Sequence, residues 1–588
     1  MQNLFDSRIE KLQAQMRKDG LKAYVIPATD PHMSEECTAY FARERFYFCP
    51  FKGSDGTLLV TLDGYFIYTD GRFWTEAEGD IKGSSCTLMY QGKEGVLSIP
   101  QYVKQNNLYP LGLDKKLLSR QELAAYFADD THEIRQASYR HMVDDLPELP
   151  HDKIFKIDDS LLSTTLEERI KNVLEDTKEH NADALILPLL DDIAYVLGYR
   201  GNDIPCTPVF YSYLYLTTEG EVTLFIDKER LPLDFPSFIR VLPYEDFYAF
   251  LETRKDIKTL IDPFRTNAYI ASLLSHPIFA PSPAFEQKSI KGPVEVRNTK
   301  EIQAIDGIAL LKLQKYLLDT PLEEIDEYKA RIFVDRARRE NPRCFDLSFE
   351  TIAALDDNAA MMHYAPSETN HKTADKNSQL LLVDSGGQYY GGTTDTTRTF
   401  LIGKEISEEV KHDYTLTLKS QIALSTTIFE KGCSGHSLDV KAREIMWKEG
   451  LDYKCGTGHG VGYMSCVHEG PIGFRFYDRP NRLDNGELKP GHIITVEPGV
   501  YKPHKYGIRL ENNLLVKEAF TTSDGIFYSF ETITYFPYDR RGIDLSLLTD
   551  EELQWLNDYH KMTEEVLKPL CPRELLSLLE DLCKEIKR

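Results

Sequence analysis

The sequence predicts a mixed α/β protein of about three domains, the first two of which are related to each other. The chain has 588 residues, which is too many for one hydrophobic core. Short apolar strands alternate with amphipathic helices along it. A helix–strand unit near the N-terminus also recurs in the second quarter of the chain, and this recurrence indicates an internal duplication.

The duplicated units align at a constant offset of 161 residues. In the first unit a helix leads to an apolar strand over 23–27, and in the second a helix leads to a similar strand over 184–188. Each unit continues with a glycine-containing turn and a further strand, over 65–69 and over 222–226. Helix–loop–strand units are common, so chance similarity is the alternative explanation.

Two stretches divide the chain. A polar, proline-marked stretch lies at 146–150, and a second boundary is expected near 288–294. They predict an α/β domain over 1–150, a second over 151–293 and a third over 294–588.

The third domain alternates helices with strands. The residue patterns predict helices over 299–317, 321–340, 405–430 and 436–450, and strands over 379–384, 395–401, 492–497 and 508–516. The last stretch, 549–588, predicts a helix pair that packs on the domain or forms a dimer contact.

The composition restricts the partners and the compartment. Hydrophobic residues make up 42% and charged residues 28%, as in soluble globular proteins. The formal charge of -24 argues against nucleic acid and anionic membranes as partners. No stretch resembles a signal peptide or a membrane span. The ten cysteines show no CxxC pair, so reduced thiols and a cytoplasmic location are expected.

Two aspartates flank a predicted hairpin in the third domain. Asp384 closes the apolar strand 380–383, and Asp395 opens the return strand after a glycine-rich turn. Carboxylates that face each other across a hairpin lie about 5 Å apart. Two like charges this close are costly unless a cation lies between them. One such aspartate alone would be interpreted as a turn cap, but the pair predicts metal ligands.

Two glutamates repeat this arrangement. Glu497 follows the apolar strand 493–496, and Glu511 lies beside 508–510, with a Pro-Gly turn after Glu497. An inward-facing carboxylate beside β-branched neighbours is costly without a partner. The second pair therefore favours a metal cage of hard oxygen ligands, which suits Mn²⁺, Co²⁺ or Zn²⁺.

His459 adds an imidazole from the glycine-rich run 456–462. The glycine spacing is not that of a dinucleotide-binding loop, so the glycines are expected to allow close backbone approach at a crowded site. A lone histidine is more often a core residue than a ligand. Beside four carboxylates, His459 is predicted to complete a two-metal hydrolytic centre.

Around these residues the chain resembles the Xaa-Pro aminopeptidases, which belong to the creatinase and methionine-aminopeptidase superfamily with its pita-bread fold. The resemblance covers nearly the whole chain and includes Pro31-His32-Met33-Ser34-Glu35, Thr69-Asp70-Gly71-Arg72, Leu190-Asp191-Asp192-Ile193-Ala194-Tyr195, Arg200-Gly201-Asn202-Asp203-Ile204-Pro205 and Phe345-Asp346-Leu347-Ser348-Phe349. It implies two creatinase-like α/β domains followed by a pita-bread metallopeptidase catalytic domain, the pattern of the long cytosolic form.

The resemblance also implies an activity, a cofactor and a partner. The family releases the N-terminal residue from peptides with proline at the second position, usually with two Mn²⁺ ions and usually as a homodimer. By the family pattern, Asp384 chelates one metal, Asp395 and Glu511 bridge both, and His459 and Glu497 complete the second metal's sphere. A bridging hydroxide would attack the scissile carbonyl, with Glu497 as the proton acceptor.

Three further residues match family positions. His468 and His363 match the substrate-side histidines that position the peptide and stabilise the intermediate, a task for which a pKa near neutrality is suited. Arg509 matches an arginine that lies behind the ligands and orients the bridging carboxylate. A structural role is the alternative for each histidine.

Cys455 departs from the family pattern. Long forms often carry histidine at this position, four residues before the metal histidine. No predicted ligand is lost, so the core chemistry is expected to survive, whereas solvent or product exchange and the pH profile are expected to differ. The alternative is that Cys455 is a small packing residue.

Two other readings stay open. A prolidase, which cuts only Xaa-Pro dipeptides, shares the five ligands, but the duplicated front half matches the aminopeptidase better. The fold also occurs in non-catalytic binding modules, which typically lose the ligands that this chain retains. A methionine aminopeptidase is disfavoured because it needs no long front half.

Overall fold

The structure is a computed structural model, and it describes residues 3–34, 39–126, 133–477 and 485–588. The chain forms two units, one of Met1–Lys156 with Thr164–Phe285 and one of Ile157–Ser163 with Glu286–Arg588. Within the described ranges, no helix combines the length and the apolarity needed to cross a membrane.

The first unit contains two six-stranded sheets of the same topology. Across its width, the first sheet runs through Thr87–Tyr90, Tyr65–Thr69, Thr57–Thr61, Ala23–Ile26, Leu111–Leu113 and Ile134–Gln136. The second runs through Arg240–Leu242, Val222–Phe225, Tyr213–Thr217, Ala184–Leu187, Thr259–Ile261 and Pro277–Phe279. In both, the fourth strand pairs antiparallel with the third and parallel with the fifth. The predicted duplication is therefore confirmed.

Helices bury both faces of each sheet. They are Leu4–Lys18, Ala39–Phe48, Trp74–Asp80, Ile99–Gln105, Arg120–Tyr126, Leu166–Glu179, Leu190–Leu197, Phe247–Thr253 and Ala268–Leu273, and Pro283–Ser289 spans the boundary between the units. Every residue of Ala184–Leu187 is buried. Leu185 and Leu187 belong to one core, and Ala184 and Ile186 to another. Because strand side chains alternate between faces, an uninterrupted apolar run suits a strand covered on both sides.

A buried polar junction joins the two sheets of the first unit. Nδ1 of His32 lies 2.7 Å from the Pro188 carbonyl oxygen, and Nε2 lies 2.7 Å from the Tyr244 hydroxyl. The side-chain amide of Asn267 donates to the Pro31 carbonyl at 2.6 Å. Burial lowers the pKa of His32 to about 3, so the ring is neutral and bridges a carbonyl and a hydroxyl. This junction joins the two sheets within the first unit.

A two-stranded sheet of Phe155–Lys156 and Tyr199–Arg200 also belongs to the first unit, and the second unit carries the other sheets. Its largest sheet runs through Phe429–Glu430, Ile526–Thr532, Asn512–Thr521, Ile493–Val496, Gly458–Gly460 and Glu469–Phe474. Two three-stranded sheets are formed by Ile352–Leu355, Leu380–Ser385 and Thr396–Leu401, and by Cys344–Leu347, Gly387–Tyr389 and Gly392–Thr393. A ribbon pairs Gly499–Lys502 with Tyr506–Arg509. The helices are Pro293–Asp319, Glu327–Arg339, Glu408–Ser425, Gly435–Lys448, Asp550–Leu567 and Leu576–Leu582.

Two predicted elements of this unit are wrong in extent. The helix predicted over 405–430 ends at Ser425, and Phe429–Glu430 forms an edge strand instead. The strand predicted over 508–516 is interrupted after Arg509 and resumes at Asn512, because its two halves pair in different sheets. The division between the units falls after Phe285, and 157–163 belongs to the second unit. Ile157 packs there against Tyr463 and Met464.

We expect the His32→Leu substitution to destabilise the first unit by about 2–4 kcal/mol, because it leaves a buried carbonyl and a buried hydroxyl without partners. The folded pKa of His32, about 3, lies below the ordinary 6.5. The contribution of His32 is therefore complete above pH 6.5 and is lost as the pH falls toward 3. The variant should lose less stability than the parent over that range, in urea unfolding followed by circular dichroism. The exposed His276→Leu is the control, and equal losses in the two variants would contradict this role of His32.

Candidate metal centre

The five predicted ligands lie at strand ends or at the middle of a short strand in the second unit. Asp384 is the last but one residue of Leu380–Ser385, and Asp395 directly precedes Thr396–Leu401. His459 is central in Gly458–Gly460. Glu497 directly follows Ile493–Val496, and Glu511 directly precedes Asn512–Thr521. Strand ends allow the backbone to turn away while the side chains stay at one sheet edge.

The sequence predicts that the two aspartates face each other across a hairpin, but in the structure they are not directly opposite. Asp384 pairs with Thr397 across the antiparallel strands. Asp395 lies two residues before Thr397 and therefore in a diagonal position on the same face. The difference arises because the connection is not a simple turn: Gly387–Tyr389 and Gly392–Thr393 form their own small hairpin between the two strands.

The two glutamates lie where the chain passes from the large sheet into the ribbon. Val496 pairs with Asn512 in the large sheet, and Gly499 pairs with Arg509 in the ribbon. Glu497 and Glu511 occupy the short gap between these two pairings. Both pairings follow one antiparallel register, and this register places Glu511 opposite Glu497.

The glycines on either side of His459 are required by close packing. A β-carbon on Gly458 would lie 1.9 Å from the Thr495 carbonyl oxygen, and one on Gly460 would lie 2.1 Å from the Glu469 carbonyl oxygen. No other residue fits between these strands. The expectation that the glycines admit close backbone approach is confirmed, and the approach brings His459 to the carboxylates.

The side chains converge on one point. Ligand atoms of Asp395, His459 and Glu511 all lie within 4.8 Å of one another. Nε2 of His459 lies 3.4 Å from Oδ2 of Asp395 and 3.4 Å from Oε1 of Glu497. Nδ1 of His459 lies 3.0 Å from the Gly460 carbonyl oxygen. A proton on Nδ1 satisfies that carbonyl and leaves the Nε2 lone pair directed at the carboxylates, the tautomer that a metal requires.

The electrostatics of the site favour a bound cation. Burial, together with repulsion from Asp384 and Glu497, raises the pKa of Asp395 well above its ordinary value. Burial and repulsion from Asp395 raise the pKa of Glu511 in the same direction. Among the residues that the structure describes, no hydrogen-bond donor reaches the buried Oδ1 of Asp384. Repelling carboxylates with an unsatisfied oxygen are the arrangement expected of metal ligands, and these residues therefore fit a divalent metal with hard oxygen donors.

Arg509 holds two of the ligands in place. Its guanidinium donates to Oδ2 of Asp384 at 2.6 Å and to the Thr397 hydroxyl at 3.0 Å. The Thr397 hydroxyl in turn donates to Oε2 of Glu511 at 2.7 Å. Arg509 also donates to the Tyr501 hydroxyl at 2.9 Å. Its direct bond is therefore to Asp384, and it reaches the predicted bridging glutamate only through Thr397.

Sequence reasoning missed two threonines that position ligands. Thr397 orients Glu511, as described above. Thr495 accepts the backbone N–H of His459 at 3.0 Å and donates to Oε1 of Glu497 at 3.3 Å. The alternation of strand side chains could have identified them. Thr397 lies two residues from Asp395, and Thr495 lies two residues from Glu497, so each threonine shares a strand face with a candidate ligand.

The other predicted residues differ in their placement. The imidazole of His468 contacts that of His459 edge to face, with ring centroids 4.3 Å apart. His363 is exposed and lies just beyond the 3₁₀ helix Asp356–Ala360. Cys455 packs beside Tyr453 and Val500. Burial and the nearby Glu497 raise the pKa of the Cys455 thiol to about 11, so it is protonated at neutral pH.

Models of known families match the chain in four segments. Residues 297–518 match metallopeptidase family M24, and 526–586 match the C-terminal region of peptidase M24. Residues 8–133 and 145–295 each match a creatinase/prolidase N-terminal domain. These matches confirm the expected order of two creatinase-like α/β domains and a pita-bread metallopeptidase domain.

Similar proteins match over nearly the full length. Xaa-Pro aminopeptidase 1 of Dictyostelium discoideum is 33% identical, over 96% of this chain and 93% of its own. The crystal structure of X-prolyl aminopeptidase from Caenorhabditis elegans, described as a cytosolic enzyme with a di-nuclear active site, is 30% identical with a TM-score of 0.92 over 99% of both chains. The Xaa-Pro dipeptidase of Bacillus anthracis, 20% identical with a TM-score of 0.51, covers 64% of this chain and shares the fold.

The family models cover most of the chain, and the relatives match it from end to end. The metal-binding geometry lies within the segment that matches the M24 peptidases. The chain therefore belongs to metallopeptidase family M24 and, within it, to the Xaa-Pro aminopeptidases.

Proposed function

We propose that this chain is a metalloaminopeptidase that releases the N-terminal residue of peptides with proline at the second position. The observation that carries the proposal is the convergence of Asp395, His459 and Glu511, with Asp384 and Glu497 beside them. The ligand set occurs in a chain that matches an X-prolyl aminopeptidase over 99% of its length.

Asp384, Asp395, His459, Glu497 and Glu511 would hold two divalent ions, which we propose to be Mn²⁺, with Co²⁺ or Zn²⁺ as alternatives. Four carboxylates and one imidazole, without a thiolate, support an ion that prefers oxygen. When bound, such a pair of ions activates water and polarises the scissile carbonyl.

Glu497 is the carboxylate best placed to accept a proton during the reaction. The Glu497 side chain is 21% exposed and the Asp395 side chain is 6% exposed. The whole residue Glu511 is 1% exposed. A proton acceptor must be reachable by the water or substrate that it deprotonates. The Thr495 hydroxyl holds one Glu497 oxygen and leaves the other available.

His468 would act on the substrate side of the centre, together with His363. The edge-to-face contact of His468 with His459 places its ring beside a metal ligand, where it can position a peptide or stabilise a developing negative charge. The exposed position of His363 is compatible with contact to a peptide that enters from solvent.

The proposal includes a cytoplasmic location, a homodimer and peptides as the partners, with no nucleic acid or membrane partner. The Caenorhabditis elegans relative is described as cytosolic, which supports the location. The homodimer is proposed from the family resemblance alone.

The alternative activity is that of a prolidase. The Bacillus anthracis dipeptidase covers 64% of this chain, whereas the Caenorhabditis elegans aminopeptidase covers 99%. The duplicated unit therefore favours the aminopeptidase.

A substrate series with metal-stripped protein tests the proposal. We expect Mn²⁺ to restore cleavage of Arg-Pro-Pro after the first residue, without cleavage of Met-Ala-Ser, because a proline at the second position is required. Product release is measured by chromatography, and metal-free protein is the control. Cleavage of Gly-Pro alone would replace the proposal by the prolidase reading. Failure to cleave all three peptides would favour a binding module.

The Arg509→Met substitution should weaken metal binding about 10–100-fold, because Asp384 loses its donor and Glu511 loses the support relayed by Thr397. Titration calorimetry with Mn²⁺ measures the affinity. Arg339→Met is a matched control, because Arg339 forms a partly exposed ion pair with Asp346 at 3.3 Å. Unchanged Mn²⁺ affinity in Arg509→Met would show that Asp384 and Glu511 do not need this support.

The Cys455→His substitution restores the residue frequent in the family and tests the departure. We expect Mn²⁺ affinity to change less than about threefold, because no ligand is altered. The pH profile of kcat/KM should change, because an imidazole with an ordinary pKa of about 6.5 replaces a protonated thiol near Glu497. Cys455→Ser is the control for the loss of sulfur. An unchanged rate, pH profile and metal affinity would assign Cys455 to packing alone.

A further inference from the structure

Glu469 directly follows His468 and lies beside the metal histidine in the sheet. Its backbone pairs with Gly460, the residue after His459, across an irregular step in the strands. The segment between the two histidines is also held: the Gln388 side-chain amide donates to the Ser465 carbonyl at 2.8 Å, and the Tyr463 hydroxyl donates to the Leu161 carbonyl at 2.8 Å. Glu469 is therefore the residue that fixes the far end of the loop that carries His468.

The Glu469 carboxylate forms an ion pair with a buried lysine. Nζ of Lys291 forms an ion pair with Oε2 of Glu469, and the two side chains are 1% and 2% exposed. Nζ of Lys291 also donates to the Ser289 carbonyl at 3.2 Å. Nζ of Lys288, itself buried, lies 3.8 Å from Oε1 of Glu469. One carboxylate thus lies between two ammonium groups in the interior.

The segment that supplies these lysines is fixed to a different part of the unit. The backbone N–H of Lys291 donates to the Gly491 carbonyl at 3.0 Å. Nδ1 of His492 accepts the Lys489 N–H at 3.0 Å, and its Nε2 lies 3.1 Å from the Ser289 hydroxyl oxygen. Burial lowers the pKa of His492 to about 3, so the ring is neutral. The backbone position of Lys291 is therefore fixed by these hydrogen bonds.

A buried ion pair of this kind is poorly explained by stability alone. Removal of two charges from water costs about as much as their attraction returns, and apolar replacements of similar volume are often neutral or stabilising. Buried pairs are better suited to fixing a geometry, because their direction and distance requirements are strict. The geometry fixed here is that of the residue after His468.

We propose that Lys291, through its buried ion pair with Glu469, is a positioning residue that holds the His468 imidazole against His459 on the substrate side of the metal centre. The inference rests on the proposed function, because it takes His468 to act on the peptide. In the described part of the chain, the polar contacts of the Lys291 ammonium group are with Ser289 and Glu469, so it acts through the chain segment 468–469.

The Lys291→Met substitution tests this role. With Mn²⁺-loaded enzyme and Arg-Pro-Pro, we expect kcat to fall about 10–100-fold and KM to change less than threefold, because a displacement of about 1 Å in a reacting group can cost a factor of this size. Bound Mn²⁺ should be unchanged. In the crystal structure of the variant, the His468 ring should leave its edge-to-face contact with His459.

Glu469→Gln keeps the shape of the side chain and is the second variant if Lys291→Met does not fold; it should lower kcat in the same direction. Lys300→Met is the control, because Lys300 lies on the helix that follows Lys291, Pro293–Asp319, and pairs with Glu531 at 2.6 Å with both side chains about one-third exposed. The inference would be overturned if the Lys291→Met variant had the parent kcat and kept His468 in place. It would also be overturned if the fall in kcat were explained by loss of bound Mn²⁺. If the parent enzyme cleaves no Xaa-Pro peptide, the proposed function fails, and the position of His468 in the variant crystal still decides the inference.

Discussion

The mutual repulsion of four carboxylates, Asp384, Asp395, Glu497 and Glu511, is the interaction on which the second unit depends. Burial and repulsion raise the pKa of Asp395 and of Glu511 well above ordinary values. Such an arrangement is unfavourable without a cation, so the fold must hold the carboxylates together before a metal binds. The short strands, sheet junctions and glycine contacts around the site meet this requirement, because each fixes one ligand through its backbone.

The supporting side chains act in a common way. Thr397 and Thr495 each lie two residues from a ligand, and Arg509 joins Asp384 to the Thr397 hydroxyl. Lys291 acts further out and holds Glu469 beside His468. The site is therefore supported in successive layers: Thr397, Thr495 and Arg509 contact the carboxylates directly, and Lys291 lies further out. The positive groups offset part of the repulsion without occupying the place of the metal.

In the first unit, buried hydrogen bonds join the two copies of a duplicated fold. Each copy retains the same strand order, yet His32 of the first copy is bonded to Pro188 and Tyr244 of the second. A neutral, fully buried imidazole can bridge a carbonyl and a hydroxyl in this way only when both partners are fixed. The two copies match separate family domains and lie in one compact unit.

By itself, the sequence determined the fold class, the duplication and the five candidate ligand positions, because strand periodicity and paired acidic residues at strand ends are local patterns. It did not determine that Asp384 faces Thr397, that the strand before Asn512 breaks at Glu511, or that Thr495 and Lys291 support the histidines. Those features depend on which strands pair and on residues far apart in the chain, such as Lys291 and Glu469. Tertiary structure alone decided them, because the free energy of a buried charge depends on the groups that the whole fold brings around it.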